Sequence, residues 1–177
     1  MSLYPLLARL ALLWGLLIPV PSLALYDPVP DASLTAVEGE WQGSLTYRDY
    51  QDASREVTLP TRLWISLGAA DRLVLHFVFD DGPAKTVHSY DSLRLDTAAG
   101  AVHWQSGEKA ATRYTLLSDQ REGSARELVF EANDDNGHRR YTLRLAADAI
   151  DWRKEEIAAD GSRLQRNRYR FQRPAPR

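Results

Sequence analysis

Residues 127–145 read Glu127-Leu-Val-Phe-Glu-Ala-Asn133-Asp-Asp-Asn-Gly137-His-Arg-Arg-Tyr-Thr-Leu-Arg-Leu145. Two strand-like segments, Glu127 to Ala132 and Arg139 to Leu145, flank a run of turn formers. Asn136-Gly137 supplies the positive φ angles that a primed hairpin turn requires. A period of two is the mark of a strand with one buried face. The stretch is therefore predicted to be a β-hairpin.

Working outward, the same grammar recurs. Trp41 to Tyr50 alternates Trp41, Gly43, Leu45 and Tyr47 against Gln42, Ser44, Thr46 and Arg48. Glu56 to Leu67 collects Val57, Leu59, Thr61, Leu63, Ile65 and Leu67 on one face. Leu73 to Phe79 gathers Leu73, Leu75, Phe77 and Phe79, then stops at Asp80-Asp-Gly-Pro83. Shorter segments cover Thr86 to Tyr90, Ser92 to Leu95, Ala101 to Gln105 and Thr112 to Ser118, and the chain closes with Ile150 to Ile157 and Leu164 to Gln172. From Trp41 to Gln172 no clear helical period lasts beyond two turns. About ten short strands joined mostly by hairpins predict an all-β antiparallel meander that closes to remove its edges. An up-and-down barrel is the expected closure; a two-sheet sandwich or open sheet is the alternative. Asp31 to Thr35 suits a short helical turn that plugs one end.

The first residues differ from the rest. Between Leu3 and Val20 the only ionisable side chains are Tyr4 and Arg9, and the apolar run from Leu10 ends at Pro19. Ser22-Leu23-Ala24 has the small residues of an A-x-A-like cleavage site. The run is short for a membrane span. Residues 1–24 are thus expected to be a cleavable signal peptide (an uncleaved anchor is the other possibility), 25–37 an extended leader, 38–173 one barrel domain and 174–177 a tail. A periplasmic or secreted destination follows.

The chain has 177 residues, 22 basic and 24 acidic, and no cysteine. It therefore forms no disulfide and no thiolate metal site. A net charge of −2, or −3 once the segment bearing Arg9 is removed, argues against nucleic acid as a partner. No G-x-S-x-G, phosphate loop or H-E-x-x-H occurs, and no two of His76, His88, His103 and His138 are spaced as metal ligands. The pairs Asp80-Asp81 and Asp134-Asp135 sit in turn sequences. No catalytic residue, metal or cofactor is assigned, and the protein is expected not to be an enzyme.

Gly39-Glu-Trp41-Gln-Gly43 opens the first long strand, and Arg166-Asn-Arg168-Tyr-Arg170-Phe171 lies in the last. This pattern resembles the calycin superfamily of lipocalin-like and fatty-acid-binding-like barrels. The resemblance implies that Trp41 closes the barrel base against an arginine of the final strand, Arg168 or Arg170, with Gly39 and Gly43 completing the motif. G-x-W-x-G also resembles the haem-binding nitrobindin-type barrels, which present a histidine from a late strand; here His138 is the late histidine, in a polar turn.

With Trp41 inward, Tyr47 and Asp49 fall at the far end, near a mouth, above a lining of Leu63, Ile65, Phe77 and Phe79. The expected function is binding of a small apolar or amphipathic molecule. The alternative is a filled barrel that docks a protein or acidic envelope component. Residues 139–177, with 11 basic and 5 acidic side chains, would supply that contact.

Overall fold

The computed structural model describes residues 31–52 and 54–175. The expected signal peptide, the first part of the leader and the last two residues lie outside them. The described residues form one helical turn, α1 (Ala32–Thr35), and ten strands. These are β1 (Gly39–Arg48), β2 (Glu56–Ala69), β3 (Arg72–Asp80), β4 (Thr86–Asp96), β5 (Ala101–Ser106), β6 (Thr112–Glu122), β7 (Ala125–Asp134), β8 (Gly137–Leu145), β9 (Ala149–Ile157) and β10 (Arg163–Gln172). Each pairs antiparallel with its neighbour in sequence, and β1 pairs with β10, so the sheet closes into a barrel. The hairpin at residues 127–145 is β7–β8, with Asp134 opposite Gly137.

The closing ladder runs from Gln42 opposite Gln172 to Tyr47 opposite Asn167. It depends on a missing side chain. Gly43 faces Phe171 across the ladder, and a Cβ there would lie 1.8 Å from the Arg170 carbonyl oxygen. The second glycine of G-x-W-x-G is thus the point of closest approach between the first and last strands. The first, Gly39, has φ +108°, a conformation open to glycine at little cost.

One boundary differs from expectation. The segments Thr86 to Tyr90 and Ser92 to Leu95 are a single strand, β4, running through Asp91. Asp91 looks like an interruption in the apolar pattern, yet it is buried and shares its inward parity with Leu93 and Leu95.

Half of the interior is solid. Leu63, Ile65, Leu73, Leu75, Leu93, Leu143, Leu145 and Ile150 pack together beneath Trp152 and leave only about 10 Å³ unfilled. This layer sits towards the end where α1 covers the barrel, with Leu34 and Val37 wholly buried. Two arginines fasten that end. Arg173 lies with its guanidinium carbon 4.0 Å from the Trp41 ring centroid. It donates to the carbonyls of Glu38 (2.7 Å), Ala36 (2.8 Å) and Ala147 (3.1 Å). The Trp41 indole N–H donates to Val37 O at 2.8 Å. The arginine over the tryptophan is therefore Arg173, rather than Arg168 or Arg170. In β10 the inward parity belongs to Tyr169 and Phe171, and its next member is Arg173, just past the strand end. Arg168 and Arg170 point outward, and Arg168 pairs with Asp151 on β9.

Arg126 is the second fastener and is only 2% exposed. It grips Asp119 with two hydrogen bonds (2.8 and 2.7 Å) and reaches Asp31, the residue capping α1, at 2.7 Å. Burial alone disfavours charge on Asp31. Hydrogen bonds from Arg121 and Ser33, with the charge of Arg126, outweigh it and hold the carboxyl well below its ordinary range. The Arg126 hydrogen bonds likewise lower Asp119.

Candidate ligand-binding site at the open end

Above the packed layer the barrel opens. A cavity of about 530 Å³ lies within the half away from α1, a size typical of small-molecule sites. Seven aromatic residues line it among the described residues: Tyr50, Phe79, Trp104, Tyr114, Tyr141, Trp152 and Tyr169. The polar lining is Ser89, Asp91, Ser106, Thr112 and Asn167 with two cations, Lys109 and Lys154. Strand parity explains the set. Phe79 continues the inward row of β3, Ser89 and Asp91 that of β4, Trp104 that of β5, Tyr141 that of β8, and Trp152 and Lys154 that of β9.

The aromatic rings form one connected wall. Trp104 and Trp152 have centroids 4.2 Å apart, Trp104 and Tyr141 5.3 Å, and Trp152 and Tyr169 5.9 Å. Phe77 sits just beneath, 5.4 Å from Tyr169 and 5.8 Å from Phe79. Burial pushes the Tyr141 hydroxyl far up, and its neighbour Tyr114 reinforces the shift. Burial does the same to Tyr169, helped by the nearby Asp91 carboxylate. Both phenols are therefore neutral donors at any physiological pH.

Asp91 is the most constrained polar group. Its carboxylate accepts from Ser89 Oγ (2.8 Å), Trp104 Nε1 (3.0 Å) and Ser106 Oγ (3.0 Å). Three donors from β4 and β5 satisfy most of its lone pairs, leaving room for one more hydrogen bond. Lys154 stands on a different wall, between Tyr141 on β8 and Asn167 on β10. Its only acidic neighbour among the described residues is Glu156, at 3.9 Å. Burial lowers its pKa, Glu156 partly offsets that, and the charges of Arg139 and Arg166 push it further down. Trp152 is 3% exposed, and its indole N–H finds no acceptor among the described residues.

The residues expected to bind a ligand are distributed differently. Phe79 lies on the cavity wall. Phe77, Leu63 and Ile65 belong to the packed layer below. Tyr47 and Asp49 are outside the lining. β1 ends at Arg48, so Asp49 turns away and accepts the Gln51 amide at 2.8 Å while pairing with Arg55. Asp91, Trp104, Tyr141 and Lys154 are among the residues that line the cavity.

No histidine lines the cavity among the described residues, so the lining does not fit a histidine-ligated haem. His138 lies at the start of β8 rather than in the turn, with Nε2 3.1 Å from Glu131. His76 and His88 sit on the outer face, with His76 Nε2 hydrogen-bonded to His88 Nδ1 at 3.0 Å and the His76 ring stacked with Trp64 and Tyr90. The arginine surplus of the last hairpin is largely partnered, Arg163 with Glu155, Arg166 with Glu156 and Arg168 with Asp151. A larger depression of about 630 Å³ lies along Gln42, Arg62 and the 82–86 turn, and no aromatic ring contributes to it.

No protein-family model and no curated protein sequence matches the chain. Its likeness is to solved structures. The crystal structure of Rv2717c from M. tuberculosis superposes with a TM-score of 0.61 at 12% identity, covering 83% of this chain and 99% of that one. The S-type phycobiliprotein lyase CPES from Guillardia theta superposes with a TM-score of 0.54 at 12% identity, covering 81% and 92%. At these identities the likeness is one of fold. The protein is a closed ten-strand antiparallel barrel whose fold these two structures share.

Proposed function

We propose that the protein binds a small amphipathic molecule in the open half of its barrel, without transforming it. The observation that carries this reading is the contrast between the two halves of one interior. The half under α1 is packed nearly solid, whereas the other keeps a cavity of about 530 Å³ walled by aromatic rings. Unfilled space costs stability, by about 24 cal/mol per Å³ in engineered cavities. A chain that fills one end so completely and not the other has reason to keep the second open. Aromatic and apolar side chains with placed polar groups are the usual form of a small-molecule site, and here seven rings share the lining with five polar side chains and two lysines.

Binding rather than catalysis suits the polar groups. Asp91 is tied by three donors, and the phenols of Tyr141 and Tyr169 are held neutral. The destination proposed for the protein is the periplasm or exterior, on the strength of the apolar N-terminal run and Ser22-Leu23-Ala24. The envelope-docking alternative has less support, since the arginines of β10 already pair across the sheet.

Native mass spectrometry of protein isolated from its own cells, followed by titration with fatty acids and with aromatic acids, tests the reading. One equivalent of a small molecule, or saturable binding of one class, is expected. The absence of both would overturn it.

A further inference from the structure

The cavity carries more information than its size. Its two tryptophans are used differently. Trp104 gives its N–H to Asp91, whereas the N–H of Trp152 is sealed from the cavity and has no acceptor among the described residues, so Trp152 offers the site its ring alone.

Lys154 follows one inward position further along β9 and lines the cavity. Glu156 stands 3.9 Å away, too far for a hydrogen bond, and is itself 3.3 Å from Arg166. Composition sharpens the point. The chain has three lysines, Lys85, Lys109 and Lys154, against nineteen arginines, and two of the three line this cavity. The opposite wall offers one carboxylate, Asp91, whose charge is dispersed over three hydrogen bonds. Asp91 does not figure among the charges felt by Lys154, which are Glu156, Arg139 and Arg166. The site is therefore polarised: positive charge on the β9 side, a satisfied acceptor on the β4 side, and tilted aromatic rings between.

We infer that the ligand is a flat aromatic molecule with a terminal carboxylate, its ring against the wall formed by Trp104, Trp152, Tyr141 and Tyr169 and its carboxylate facing Lys154. This rests on the reading of the cavity as a ligand site and adds the chemistry of the ligand. Charge-assisted hydrogen bonds at a partly buried amine are among the stronger polar contacts, so the carboxylate should dominate selectivity. The one free acceptor position on Asp91 would favour a hydroxyl or amine substituent at the other end of the ring.

The test is calorimetric titration of the full chain with 2-naphthoate and with its neutral isostere 2-naphthalenemethanol. The carboxylate should bind about tenfold tighter or better, in line with one charge-assisted hydrogen bond. Lys154→Met should remove most of that preference. Equal affinity for the two compounds overturns the carboxylate assignment without touching the cavity reading. So does a preference that survives Lys154→Met. Failure of both compounds to bind overturns the cavity reading as well. The wild-type comparison stands even if a variant misfolds.

Discussion

The guanidinium of Arg173 stacks on the indole of Trp41, 4.0 Å from the ring centroid, while donating to three backbone carbonyls. One side chain thus links the Trp41 end of β1, the α1 turn at Ala36 and Glu38, and the β8–β9 corner at Ala147. Trp41→Ala should destabilise the barrel by about 3–5 kcal/mol, the usual range for deleting a buried aromatic. Arg173→Ala should cost about 1–3 kcal/mol, because the stack and several hydrogen bonds go together. Arg173→Lys should recover little, since an ammonium cannot present the planar fork that reaches separate carbonyls. Arg168→Ala and Arg170→Ala should each change stability by less than about 1 kcal/mol, as expected of exposed ion pairs. Chemical denaturation of the five variants checks the assignment.

Gly43→Ala should be more damaging than its size suggests. A methyl group there would meet the Arg170 carbonyl oxygen at 1.8 Å, and that atom is backbone. β1 and β10 must separate to admit it, so about 3 kcal/mol or more is expected. Faster hydrogen exchange should appear in the β1–β10 ladder before the β7–β8 hairpin. Uniform exchange across both would count against closure through this contact.

Acid should loosen the end covered by α1. Asp31 and Asp119 both have folded-state pKa values below their unfolded ones, chiefly through hydrogen bonds from Arg121 and Arg126. Their contribution is complete above the unfolded carboxylate value of about 4 and disappears as pH falls through the folded values. Melting temperature should therefore drop as pH is lowered from 5 towards 2 (roughly the range linkage predicts). An Asp31→Asn, Asp119→Asn double variant should be less stable at neutral pH and flatter with pH. Arg126→Ala should cost about 3–5 kcal/mol by stripping two carboxylates of one buried partner.

Lys154 gives ligand binding its own pH dependence. Burial lowers its pKa; Arg139 and Arg166 add to the effect, Glu156 opposes it, and the remaining facing groups are Tyr141 and Asn167. An amine holds an anion only while protonated. Affinity for 2-naphthoate should thus fall as pH rises through a value below the ordinary lysine figure of about 10.4. Affinity for the neutral alcohol should stay level. Lys154→Arg should shift the loss above any accessible pH. Parallel curves for acid and alcohol would show that Lys154 does not meet the carboxylate.

Architecture was legible because alternation is a repeated signal. Leu73, Leu75, Phe77 and Phe79, or Leu63 and Ile65, announce a strand and its buried face without outside help. The site was far less legible, because it is made where alternation breaks. Asp91 reads as a gap between two short strands, since a carboxylate in an inward row looks like a turn until Ser89, Trp104 and Ser106 are seen around it. Arg126 hides in the same way, as an arginine at a core position. Arg173 lay one parity step beyond the last strand. Asp49 was placed at the mouth by extending β1 past Arg48, where the chain turns. Lys154 had a signal that went unread: it is one of three lysines in an arginine-rich chain, two residues from an inward tryptophan.

A fluorescence titration with 1-anilinonaphthalene-8-sulfonate, a flat aromatic anion, tests the ligand site most directly. Thr112 lines the open half opposite Trp104, and Thr112→Trp fills the space without disturbing the packed layer. The wild-type protein should bind one equivalent of the dye saturably, with a blue-shifted emission that Thr112→Trp abolishes at unchanged melting temperature. Dye binding that never saturates, or that persists undiminished in Thr112→Trp, would place the dye elsewhere and leave the barrel without its ligand site.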